Sequence, residues 1–69
     1  METMTLEING EKREISQVAN VRELLRFLGI TGERVAIEIN HRIIRRAEWD
    51  DTLVADGDRV EIVQFVGGG

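Results

Sequence analysis

The chain contains no cysteine. That excludes disulfides, thiolate metal sites and a cysteine nucleophile, and with them any chemistry in which the chain holds sulfur on its own thiol. It does not fix the cellular compartment. Histidine is nearly absent as well. His41 stands alone beside arginines, and a solvated turn residue is the simpler reading than a ligand or a base. Ser16 has no histidine at a recognisable spacing, so serine nucleophile chemistry is unsupported. Asp56 and Asp58 flank Gly57, but a calcium loop needs many more oxygen ligands, and both read as turn residues. The sequence has neither a G-x-x-x-x-G-K-[ST] run nor a G-x-G-x-x-G after a strand, so nothing in it cradles a nucleotide phosphate. No apolar run approaches bilayer length, and no basic start precedes an apolar stretch. A membrane span and a signal peptide are therefore not expected, and cytoplasm is the expected location.

What is present is small and acidic. Sixty-nine residues, 42% of them hydrophobic, suit a single domain over 1–69 with one core and no room for a deep cleft besides. Nine basic against 13 acidic residues give a net charge of −4. Phosphate neutralisation supplies much of nucleic-acid affinity, so an acidic chain is not expected to bind nucleic acid and suits a basic protein partner better. Arg42, Arg45 and Arg46 form a small basic cluster, read here as a solvated edge.

Periodicity sets the element order. Met4, Leu6 and Ile8 alternate with Thr5 and Glu7, a strand with one buried face. Asn9-Gly10 suits the two positive-φ positions of a tight hairpin. The charged return over 11–15 reads as an edge strand, where charge discourages sheet-to-sheet association. Asn20 is placed as a helix N-cap, with Glu23 three residues on as in a capping box. Val21, Leu24, Leu25 and Leu28 form one helical stripe, widened by Phe27. Gly29 suits the left-handed position past the helix, with Ile30 folding back on Leu25. A polar connection over 31–34 leads to a strand over 35–39, a turn at Asn40-His41 and a short strand over 42–45. A helical turn is expected over 47–51 around Trp49, a structural anchor at the core rim. The turn Asp56-Gly57-Asp58 precedes a last strand over 60–66. The order ββαββ predicts an α+β roll. In it a mixed four- to five-stranded sheet is covered by one helix, and the last strand lies beside the first in the β-grasp manner.

The last strand runs straight into Gly67, Gly68 and Gly69. Glycines without side chains contribute nothing to packing and lose the most entropy on ordering, so a flexible tail over 66–69 is expected. Three residues at full extension reach about 10 Å, enough to carry a carboxylate into another protein's narrow channel. A frayed, inert end is the alternative. A terminal carboxylate is a poor electrophile and needs a leaving group before it can accept sulfur or an amine. Adenylation with ATP and magnesium supplies one, and this chain has no site for either. The activating enzyme must therefore be a separate protein, with no cofactor bound to this chain. Val63 and Phe65 share one face of the last strand, while Val60 and Ile62 do not divide cleanly between faces. The open face, with Val63, Phe65 and Val66 leading to the tail, is expected to dock onto that enzyme. Burial of both faces is the alternative.

These pieces together resemble the ThiS family, the sulfur carriers of thiamine biosynthesis. The resemblance spans nearly the whole chain: the Asn9-Gly10 turn, the helix over 21–28, the strand and turn over 35–40, Glu48-Trp49, Asp56-Gly57-Asp58 and the ending Val63-Gln64-Phe65-Val66-Gly67-Gly68-Gly69. It implies a ubiquitin-like β-grasp fold and a cycle in which the chain is a protein co-substrate, not an enzyme. A ubiquitin-activating-like adenylyltransferase adenylates Gly69, a sulfur donor system converts it to a thiocarboxylate, and thiazole synthase takes the sulfur. The implied reacting residue is Gly69, with Gly68 filling the partner's channel. Where many relatives have glycine, proline and serine, this chain has His41, Arg45 and Ala47. These departures touch loops and bear on the exact partner contacts more than on the tail chemistry. Two rival functions share the terminal chemistry: the small subunit of molybdopterin synthase, and a ubiquitin-like modifier of other proteins. A plain interaction domain with an inert tail is a third.

Overall fold

The computed structural model describes residues 2–31 and 34–65. The alternating run forms β1 (Thr3–Ile8), with Met4, Leu6 and Ile8 buried. Asn9 and Gly10 take φ of 50° and 85°. Two left-handed residues in succession match the twist of a two-residue hairpin. β2 (Glu11–Ser16) returns antiparallel, with Ile8 opposite Glu11, and buries only Ile15.

α1 (Val21–Phe27) starts at Asn20, whose side chain accepts the Glu23 N–H at 2.9 Å. Glu23 reaches back to the N–H of Ala19 at 2.8 Å, one residue earlier than the usual capping-box donor. The helix ends in a Schellman motif. Gly29, at φ 75°, donates to Arg26, and Ile30 donates to Leu25 at 2.9 Å. Val21, Leu24 and Leu25 are buried and Leu28 packs partly against them. Phe27 does not widen this stripe; it is 47% exposed. At 3.6 residues per turn it lies about a third of a turn from the stripe's centre.

β3 (Val35–Ile39) and β4 (Arg42–Ile44) form a second hairpin, with Asn40 and His41 at φ 51° and 70°. The expected turn near Trp49 is a short 3-10 helix, Arg46–Glu48, that delivers Trp49 into the core rim. β5 (Arg59–Gln64) begins one residue earlier than the pattern suggests. Phe65 follows it, still donating its N–H to Arg34 at 2.8 Å. Val66, Gly67, Gly68 and Gly69 lie outside the described residues.

The five strands form one mixed sheet in the order β2-β1-β5-β3-β4. β5 is central, parallel to β1 and antiparallel to β3. The apolar stripe of α1 faces the core side of this sheet, and Leu6, Val21, Leu24, Ile37 and Val60 are fully buried. Val60 and Ile62, two residues apart on β5, both point into this core, which resolves the division the sequence pattern left open. Among the described residues no polar side chain is buried, and no helix is long and apolar enough to cross a membrane.

Candidate functional site

The last strand is held in place from both sides by asparagine side chains. Asn9 accepts the Ile62 N–H at 2.8 Å and donates to the Ile62 carbonyl at 3.1 Å. Asn40 accepts the Arg59 N–H at 3.0 Å and donates to Asp58 at 3.0 Å. The turn before β5 is fixed in the same way. Asp56 accepts the Thr5 N–H at 2.6 Å, Asp58 accepts the Ala55 N–H at 2.9 Å, and Gly57 takes φ 89°. Both aspartates thus have the turn role their sequence suggests. β5 is therefore fastened by side-chain hydrogen bonds at Arg59 and Ile62 in addition to its backbone pairing with β1 and β3.

Because Val60 and Ile62 face inward, Glu61 and Val63 face outward. Val63 is 52% and Phe65 60% exposed, so the outer sheet face is open and the alternative of two buried faces does not hold. The register sets Ala36 of β3 opposite Val63. Ile43 of β4, opposite Glu38, is 69% exposed. Ala36 and Ile43 extend the apolar surface beyond the residues singled out in the sequence. The signal for Ile43 was the pair Ile43-Ile44: in a strand one member of an adjacent pair must face out. Val66, Gly67, Gly68 and Gly69, the rest of the predicted site, fall outside the described residues.

The other side chains are engaged structurally. Trp49 is 5% exposed and donates its indole N–H to the Ile44 carbonyl at 3.4 Å, with the guanidinium groups of Arg22 and Arg46 at 5.5 and 5.3 Å from its ring. Arg42 pairs with Glu48 at 3.4 Å on the exposed edge. His41 is an exposed turn residue. No three of the described His, Asp or Glu residues are grouped to hold a metal ion. What the described residues offer chemically is a surface: an open, partly apolar sheet face adjoining the point where the chain's end begins.

Comparison with known proteins gives this arrangement a family. The ThiS family model matches residues 6–69, a span that includes Gly67, Gly68 and Gly69. The crystal structure of a thiamine biosynthesis protein (ThiS) from Geobacter metallireducens is similar with a TM-score of 0.81 and 39% identity, covering 96% of this chain and 100% of that one. The sulfur carrier protein ThiS of Escherichia coli is 30% identical over 66 residues, 96% of this chain and 100% of the carrier. A thiazole synthase from Paramagnetospirillum magneticum is 44% identical over 66 residues, which are 96% of this chain but 20% of that protein. The chain thus spans a fifth of the length of that relative. The mixed five-stranded sheet under one helix is the ubiquitin-like β-grasp. With a family match running from residue 6 to residue 69 and a full-length likeness to the Escherichia coli carrier, the chain belongs to the ThiS family of sulfur carriers in thiamine biosynthesis.

Proposed function

We propose that this chain carries sulfur on the carboxylate of Gly69, as the co-substrate of other enzymes. The observation that carries the reading is the family match, which runs from residue 6 through Gly67, Gly68 and Gly69, residues that follow the central strand β5 in sequence. In the proposed cycle a Gly69 carboxylate oxygen attacks the α-phosphorus of ATP on a ubiquitin-activating-like adenylyltransferase, and pyrophosphate leaves. Magnesium and the nucleotide are held by that partner. Hydrosulfide delivered by a donor system then attacks the acyl carbon, the C–S bond forms as the bond to AMP breaks, and the proton is lost to solvent. The product is a thiocarboxylate. Gly67 and Gly68 let the end pass through a channel that any Cβ would obstruct.

The open face of Val63, Phe65, Ala36 and Ile43 is the proposed docking surface for the adenylyltransferase, and Val66, expected with them from the sequence, lies outside the described residues. Thiazole synthase is the proposed acceptor. The likeness to a segment of a thiazole synthase supports this choice over the molybdopterin pathway, since joining carrier and acceptor in one chain raises their effective concentration. The cycle is placed in the cytoplasm.

Intact-protein mass spectrometry on the chain from its native host, with C-terminal fragmentation, tests the reading. The expected result is a species with one sulfur in place of one oxygen, located on Gly69. Gly69 that stays unmodified with adenylyltransferase, ATP and a sulfur donor supplied overturns it. Isopeptide-linked conjugates would instead establish a protein modifier.

A further inference from the structure

Side chains directly opposite each other in an antiparallel pair approach to about 4.5–5.5 Å at Cβ, and like charges in that relation destabilise the sheet. The register of β3 on β5 sets Glu38 opposite Glu61. Both face outward with Ala36 and Val63, because Ile37, Ile39, Val60 and Ile62 fill the core. The neighbouring cations are turned elsewhere. Arg59, two residues before Glu61 on the same face, pairs through Nε with Glu7 at 3.0 Å. Arg42 pairs with Glu48. Among the described residues neither Glu38 nor Glu61 has an ion-pair partner. The free chain thus keeps a repulsive pair in the middle of its open face, with Ile43 directly across from Glu38 and Val63 diagonal to it.

We propose that the protein docking on this face presents an arginine whose guanidinium lies across Glu38 and Glu61, while its apolar surroundings seat on Ile43 and Val63. The inference rests on the docking reading above and names the chemistry of that partner. Charge complementarity selects a cation, consistent with a carrier of net charge −4. Arginine fits better than lysine. Its planar fork of five donors serves two carboxylates at once, and its weaker hydration suits a site rimmed with apolar groups. A divalent ion held by two carboxylates alone would be short of oxygen ligands. On docking, the repulsion is replaced by two charge-assisted contacts, so the pair weakens the free chain and strengthens the complex.

The test is calorimetric binding of the chain to its adenylyltransferase across a salt series, with thermal melts of each variant. E38Q/E61Q is expected to raise Kd by about tenfold or more at low salt and to flatten its salt dependence. The same variant is expected to raise the melting temperature of the free chain by about 1–5 °C, through relief of the cross-strand repulsion. Val63→Ser tests the face itself and is expected to weaken binding without changing the salt slope. If Val63→Ser weakens binding but E38Q/E61Q changes neither Kd nor slope, the arginine contact is overturned and the docking face stands. If neither variant weakens binding, the docking reading falls and this inference with it.

Discussion

The side-chain amide of Asn9 pairs with the backbone of Ile62 as another strand would, accepting its N–H at 2.8 Å and donating to its carbonyl at 3.1 Å. The formal pairing of β1 with β5 ends at Ile8 opposite Val60. Asn9 extends the contact by one more rung from within a turn, where its own backbone is left-handed at φ 50°. One residue therefore closes the first hairpin and fastens the central strand, which precedes Gly67, Gly68 and Gly69 in sequence. Asn40, at φ 51°, does the same on the other side through Arg59 and Asp58.

Two substitutions separate these roles. Asn9→Gly keeps the left-handed turn and loses two hydrogen bonds, each worth about 1 kcal/mol, so destabilisation of about 2 kcal/mol is expected. In a domain of this size that lowers the melting temperature by about 8–16 °C. Asn9→Ala adds the strain of a Cβ at positive φ, a further ~1 kcal/mol or more. Urea denaturation of both variants checks the order wild type, Gly, Ala. Equal stability of Asn9→Gly and wild type would show that the amide pairing contributes nothing.

Gly29 offers a cleaner case of backbone strain. A Cβ built there meets nothing within 4 Å, yet φ is 75°. Gly29→Ala should therefore destabilise by about 1 kcal/mol through conformation alone. Gly29→Asn should lose less, since asparagine tolerates the left-handed region. Equal melting temperatures for all three residues would contradict the assignment of the Schellman cap as a determinant of helix stability.

The tryptophan is both anchor and reporter. Trp49→Phe removes the indole N–H donated to Ile44 and shrinks a ring that is 5% exposed. Loss of the hydrogen bond and the smaller packing volume together should cost about 1–3 kcal/mol. Trp49 is the chain's single tryptophan, so its fluorescence follows unfolding directly in every other variant. Circular dichroism melts of Trp49→Phe measure the loss. A change below about 0.5 kcal/mol, the level of an ordinary surface substitution, would place Trp49 outside the cooperative core.

Most of this fold is legible in the sequence because its signals are local. Strand alternation in β1, the Asn9-Gly10 turn and the cap pair Asn20 and Gly29 each specify their own geometry within a few residues. What was not legible depends on register between distant strands. Nothing near Glu38 in sequence shows that Glu61 lies opposite, and nothing near Asn9 shows that it reaches Ile62. Phe27 misled because an aromatic beside an apolar stripe reads as core, whereas helical phase turns it outward. Of the site, Val63 and Phe65 were visible from alternation on one strand. Ala36 and Ile43 became part of it only once β3 and β4 were placed beside β5.

Docking and chemistry should fail separately. Phe65 is 60% exposed and lies just beyond β5, so Phe65→Asp removes apolar contact area without opening the core. Its stability should stay within about 0.5 kcal/mol of wild type, as for other surface changes. Burial of an exposed phenylalanine on a partner is worth on the order of 1.5–3 kcal/mol, so Kd for the proposed adenylyltransferase partner should rise about 10- to 100-fold. Deleting Gly68 and Gly69 should do the reverse: Kd changes little, because the sheet face is intact, while ATP–pyrophosphate exchange dependent on the carrier is lost. Calorimetry and exchange on the same two proteins resolve the matter. Unfolding of Phe65→Asp would mean that this side chain belongs to the core. Exchange that survives the deletion would mean that the enzyme does not act on the end of this chain.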